Sequence, residues 1–138
     1  MSDHSTPSLV STMSLLGGAV AGLVHAGLAV VLWNYWFDDL GAMLAVKPLN
    51  GLYVGLGMFL LGFVPAVFYA GQKVVSPAII VAVLLVLSGI GSWVTTSVRA
   101  PSAVPTPFGL YILFWVGTVV LISITGSVES RRKHRTIG

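Results

Sequence analysis

The sequence predicts an all-α membrane protein, four apolar helices packed as one antiparallel bundle with both termini cytoplasmic. Two observations carry this. The intervals 4–37, 48–72, 74–98 and 100–128 contain no Asp, Glu, Lys or Arg. A hydrocarbon core about 30 Å thick needs about 20 residues of apolar helix to cross it, and every interval is long enough. The 138 residues are also only 8% charged against 56% hydrophobic, with a mean hydropathy of +0.95. A soluble domain carries about 25% charged residues, so too few are present here to cover a water-facing surface. The loops and tails are too small to bury a core alone, and residues 1–138 are read as a single four-span domain.

The first span is predicted over about 9–33. The segment ahead of it, MSDHSTPS, is slightly acidic and has no Lys or Arg, and the apolar run that follows is too long for a cleaved signal peptide, so the span is read as retained. The run Trp33-Asn34-Tyr35-Trp36-Phe37-Asp38-Asp39 reads as an interfacial anchor into an outer loop. Residues 40–46 are apolar but too short to span, and are expected on the surface or over the helix ends. The second span is predicted over 52–71, with Asn50 as its cap. The third, over 78–98, follows a short turn at Gln72-Lys73 and forms a hairpin with the second. The fourth is predicted over 108–128. Thr6-Pro7, Ser76-Pro77 and Thr106-Pro107 repeat one start signal, a hydroxyl that caps free N–H groups followed by a proline at the first helical position. Barrel strands would alternate over about ten residues, and no such pattern is present.

Orientation follows from the basic residues. With both ends inside, Lys73, Arg131, Arg132, Lys133 and Arg135 are cytoplasmic, and only Lys47 and Arg99 lie outside. That bias satisfies the positive-inside rule and argues against dual insertion. Trp33, Trp36, Trp93 and Trp115 then fall in the outer half, where amphipathic rings favour the headgroup boundary. The cluster Arg131, Arg132, Lys133 and Arg135 reads as a topology determinant facing anionic headgroups, and not as a nucleic-acid footprint. With no cysteine, disulfides and thiolate sites are excluded.

Few residues offer chemistry. Gly18 and Gly22 form GxxxG in the first span, Gly51 and Gly55 another, and Ser88 and Ser92 a small-xxx-small pair. Such residues let helix backbones approach closely, here chiefly within the chain, with a homodimer seam as the sharper reading. His25 lies near mid-membrane on the face of Gly18 and Gly22, and intramembrane ionisable residues are costly. Ser88 and Thr118 fall at a similar depth as hydroxyl partners for the imidazole. A structural histidine is favoured over a proton relay or haem ligand. A bis-histidine haem site needs a second intramembrane histidine, which only a second copy of the chain would supply. Pro65 removes a donor within the second span and is expected to kink it. Asp38 and Asp39 are expected to be solvated, and Glu129 to pair locally with the basic residues after it. No HExxH motif, phosphate-binding loop or acid at the depth of His25 is present, so no enzyme activity, metal or cofactor is expected.

The segment Pro105-Thr106-Pro107-Phe108-Gly109-Leu110-Tyr111, then Phe114-Trp115 and Gly126 through Glu129 with the basic tail, resembles the final span of small four-helix membrane proteins of haloarchaeal type. The resemblance covers the last quarter of the chain, implies the same four-span arrangement and brings no function with it. The expected role is a multi-pass component of the cell membrane: an accessory, assembly or scaffold protein, partnered by the lipid bilayer and by further copies or a larger membrane complex. A small oligomeric transporter or channel is the alternative, although no span holds an acid of the kind proton-coupled multidrug transporters use. A haem- or quinone-linked anchor resting on His25 is the third reading.

Overall fold

The computed structural model describes residues 11–37, 39–98 and 106–136, and all secondary structure among them is helical. In chain order the helices are α1 (Thr12–Trp36), α2 (Leu40–Val46), α3 (Pro48–Gln72), α4 (Ser76–Val98), α5 (Pro107–Leu113) and α6 (Trp115–Thr136). α1, α3 and α4 are each long and apolar enough to cross a membrane, and α5 with α6 makes a fourth such unit if the bent pair is counted as one. The Thr6-Pro7 start signal, Asp38 and Arg99 lie outside the described residues.

Burial runs opposite to that of a water-soluble protein. Ser14, His25, Ser88 and Ser92 are buried, while Leu16, Val20, Leu23, Leu28 and Val31 on α1 and Ile79, Leu87 and Ile90 on α4 are more than half exposed. Where a surrounding solvent is itself apolar, helices associate through close packing and hydrogen bonds, so small and polar residues move to the seams.

α3 is the hub, packing against α1, α2, α4, α5 and α6, whereas α1 rests almost wholly on α3. The buried residues of α1, namely Ser14, Gly18, Gly22, His25, Ala29 and Trp33, recur every three or four positions and so form one stripe. A Cβ at Gly18 would come within 2.6 Å of Val67, and one at Gly22 within 2.7 Å of the Phe59 ring. That glycine pair is therefore the seam between α1 and α3 of one chain. Gly51 likewise admits Leu44 of α2, but a Cβ at Gly55 would meet nothing within 4 Å. The second GxxxG is thus half seam and half open face.

Several boundaries differ from the sequence expectation. α3 starts four residues before the predicted span, with Pro48 in its first turn and Asn50 already inside the helix. Lys47 holds the cap position without a side-chain bond, so Asn50 is not the cap. α3 continues unbroken through Pro65. A sharp break comes in the fourth unit, where Phe114 leaves helical geometry (φ −92°, ψ 21°) and α5 and α6 meet at 69°. α6 then runs on to Thr136, so Arg131, Arg132, Lys133 and Arg135 sit on helix rather than on a loose tail.

Candidate functional site

The middle of the molecule holds one polar knot, built from three helices. His25 reaches from α1 to the backbone carbonyl of Met58 on α3 through Nδ1, at 2.6 Å. Its Nε2 lies 3.1 Å from the hydroxyl of Tyr111 on α5. A carbonyl only accepts, so Nδ1 carries the proton. In the neutral ring Nε2 is then an acceptor, and the Tyr111 hydroxyl donates to it. Both nitrogens are spent within the protein, and the tautomer is fixed by the backbone.

Local packing sets this geometry. Gly62 lies one turn beyond Met58, and a Cβ there would fall 2.5 Å from His25 Cβ and 2.6 Å from the carbonyl oxygen of Ala21. Glycine at this point lets α1 approach α3 closely enough for the imidazole to reach a main-chain oxygen. On the other side, Tyr111 is held by the start of α5. The Thr106 hydroxyl accepts from the Gly109 amide at 3.2 Å and Ser92 Oγ of α4 accepts from the Phe108 amide at 2.8 Å. Two hydroxyls thus satisfy the free N–H groups of α5, one local and one from a neighbouring helix.

The expected partners of His25 are not the ones it uses. Ser88 turns its hydroxyl back to the Leu85 carbonyl of its own helix at 3.0 Å. Thr118 lies beyond the break at Phe114, and depth counted along a straight fourth span misplaces it. Tyr111, which the depth count did not offer as a partner, points inward and is buried. Ser92, read as a packing residue, has the further role of capping α5.

A second polar cluster ties the basic end of the molecule together. Glu129 of α6 accepts the amides of Val75 at 3.4 Å and Ser76 at 3.1 Å, so the start of α4 is capped from another helix. Ser76 is the first residue of α4 and not its own cap, which corrects the sequence reading. Lys133, one turn after Glu129, pairs with it at 3.3 Å and donates to the carbonyl of Lys73. Lys73 closes α3 in the left-handed region, at φ 55°. One carboxylate thus meets a helix N-terminus and one ammonium the end of the preceding helix, each matching the local dipole. The Ser76 hydroxyl and amide, with the Val75 amide and Lys133, hold the Glu129 carboxyl down at about 2. Below this clamp a Cβ on Gly126 would come within 2.9 Å of Phe68 and 3.0 Å of Pro77, so α3, α4 and α6 close tightly there.

At the opposite end Asp39 caps α2 by accepting the Gly41 amide at 2.9 Å, and Asn34 accepts the Leu40 amide at 3.1 Å. The short helix 40–46 lies over the start of α3 through Leu44. Among the described residues no three His, Asp or Glu side chains gather in an arrangement that would hold a metal ion. Comparison with protein-family models, curated proteins and solved structures finds no match to this chain.

Proposed function

We propose that this chain is a four-span component of the cell membrane, with both termini cytoplasmic, that serves as an accessory, assembly or scaffold subunit of a larger membrane complex. α5 and α6 together make the fourth crossing. From Trp115 to Val128, the apolar part of α6 rises only about 20 Å, short of the roughly 30 Å core, so α5 is needed to complete it. The likeness of the segment from Pro105 to Glu129 to small haloarchaeal membrane proteins belongs to the same reading.

The observation that carries the role is the occupation of His25. A proton carrier or haem ligand needs a ring nitrogen with a free lone pair facing water or iron. Here Nδ1 is bound to Met58 and Nε2 receives the Tyr111 hydroxyl. The one ionisable group in the middle of α1 therefore fastens helices together. What the protein offers outward is apolar surface, in particular the face of α1 turned away from α3. The test is affinity purification from native membrane, with mass spectrometry and an absorption spectrum of the product. A reproducible protein partner without a haem band is expected. A haem band, or a chain that purifies alone at every detergent strength, overturns the role.

A transporter is the second reading, and one observation favours it. Broken helices at membrane depth commonly mark transport sites, and the 69° break at Phe114 lies one turn from Tyr111. Proteoliposome flux that disappears in His25→Ala would replace the scaffold reading with this one.

A further inference from the structure

The outer surface of α6 carries two shallow grooves that share one wall. The first, about 460 Å³, has Val119 and Val120 at one end, Ser123 and Ser127 along its floor and Arg131 at the other end. The second, about 350 Å³, runs between α6 and the start of α4, past Thr125, and ends at Glu129 and Arg132. Ile124 and Val128 line both, and so form the ridge between them.

The floors behave as apolar surface despite their hydroxyls. Ser123 donates to the Val119 carbonyl at 2.7 Å, Ser127 to the Ser123 carbonyl at 2.7 Å and Thr125 to the Leu121 carbonyl at 3.0 Å. Each donor is satisfied within its own helix, so an alkyl chain laid over it strands no proton. From Val119 to Val128 the helix rises about 14 Å, close to one leaflet of a hydrocarbon core of about 30 Å. Successive residues turn by about 100°, which puts Arg131 and Arg132 on either side of the ridge at its basic end. Both are exposed, and neither makes a salt bridge among the described residues. The carboxylate at the mouth of the second groove is already engaged with two amides and Lys133.

We propose that α6 holds a two-chain anionic phospholipid astride the Ile124–Val128 ridge, one chain in each groove and the phosphate between Arg131 and Arg132. This rests on the reading of that end of α6 as a bilayer boundary. It goes beyond a general attraction of basic residues to the membrane, because it assigns both the headgroup and the two chains.

The experiment uses the full chain extracted from membranes, stripped of lipid and titrated with dioleoylphosphatidylglycerol, with bound lipid counted by native mass spectrometry. Each arginine contributes roughly fivefold to affinity for an anionic surface, so R131Q/R132Q is expected to weaken retention about thirtyfold. K47Q removes one basic charge at the far end of the molecule and is expected to change nothing. S123F fills the first groove and is expected to weaken two-chain lipid while sparing the single-chain lyso form. Equal loss in K47Q, undiminished retention in R131Q/R132Q, or equal affinity for the lyso lipid overturns the site. So does a protein partner that occupies the face and leaves when the arginines are removed. A chain absent from the membrane fraction defeats instead the membrane reading beneath the proposal.

Discussion

The Tyr111 hydroxyl donates to Nε2 of His25 across 3.1 Å, joining the helix before the break to a helix 86 residues earlier. The bond completes a ring whose other nitrogen is held by the Met58 carbonyl. Removing the phenol oxygen leaves a buried acceptor without a donor. Tyr111→Phe is therefore expected to destabilise the protein. Hydrogen bonds between membrane helices are worth about 0.6 kcal/mol on average and about 1.7 at most. A double-mutant cycle of Tyr111→Phe with His25→Ala, read by thermal unfolding in detergent, is expected to give a coupling in that range. Strict additivity would show that the two side chains do not act as a pair.

The glycines separate into two classes that a single series of alanine substitutions distinguishes. At Gly22 and Gly62 an added methyl meets atoms at 2.7 Å and 2.5 Å, including the rigid stem of His25 in the second case. At Gly17 and Gly55 it meets nothing within 4 Å. Gly62→Ala is expected to force α1 away from α3, to lengthen the His25–Met58 bond and to lower stability by the 1–3 kcal/mol typical of overpacking. Gly55→Ala should be neutral or mildly stabilising, since alanine is favoured over glycine in a helix by up to about 1 kcal/mol. A neutral Gly62→Ala would mean that α1 and α3 do not meet as closely as described. The His25 environment, followed by NMR, reports the helix separation independently of the melting temperature.

Some of these features are legible in the sequence alone and others are not. Burying a charge in hydrocarbon is costly, so the uncharged intervals locate α1, α3 and α4 to within a few residues, while α6 runs on through the basic cluster past its predicted end. The stripe of Gly18, Gly22 and His25 follows from helical periodicity alone. The partner of His25 does not, because no residue at Phe114 signals a break: there is no proline or glycine there. Long-range caps are hidden for a related reason. Ser92 and Glu129 satisfy amides 16 and 53 or more residues away in the chain, and local motifs carry no record of such contacts. Thr106, whose cap is local, was legible from its place before Pro107.

The clamp at Glu129 predicts a pH dependence of definite sign. Its carboxyl is held near 2 in the folded protein, below the ordinary 4.5. The folded state thus binds this proton less readily than the unfolded one, and ionised Glu129 favours folding. The contribution is complete above about pH 4.5 and disappears as pH falls through about 2. Protection of the Val75 and Ser76 amides, referred to the intrinsic exchange rate at each pH, should fall across that window. In Glu129→Leu, which removes both acceptor oxygens, the same amides should exchange fast at neutral pH and lose the pH dependence. Protection that is unchanged by the substitution would assign their bonds elsewhere.

Crossing number is decided by the two ends of the described chain. The absence of native cysteine makes single-cysteine labelling direct. Four crossings place Ser11, which caps α1, and Thr136, which ends α6, on one side of the membrane. Ser11→Cys and Thr136→Cys are each expected to resist an impermeant maleimide in intact cells and to react after permeabilisation. Ala42→Cys, on the short helix between α1 and α3, should react without permeabilisation. If Thr136→Cys labels from outside while Ser11→Cys does not, the bent pair turns back within the bilayer. α5 and α6 would then form a re-entrant hairpin, and the 69° angle at Phe114 would be its apex and not a bend within a crossing helix. The basic residues of α6 argue against that outcome, because it would carry Arg131, Arg132, Lys133 and Arg135 to the outer face, against the positive-inside rule.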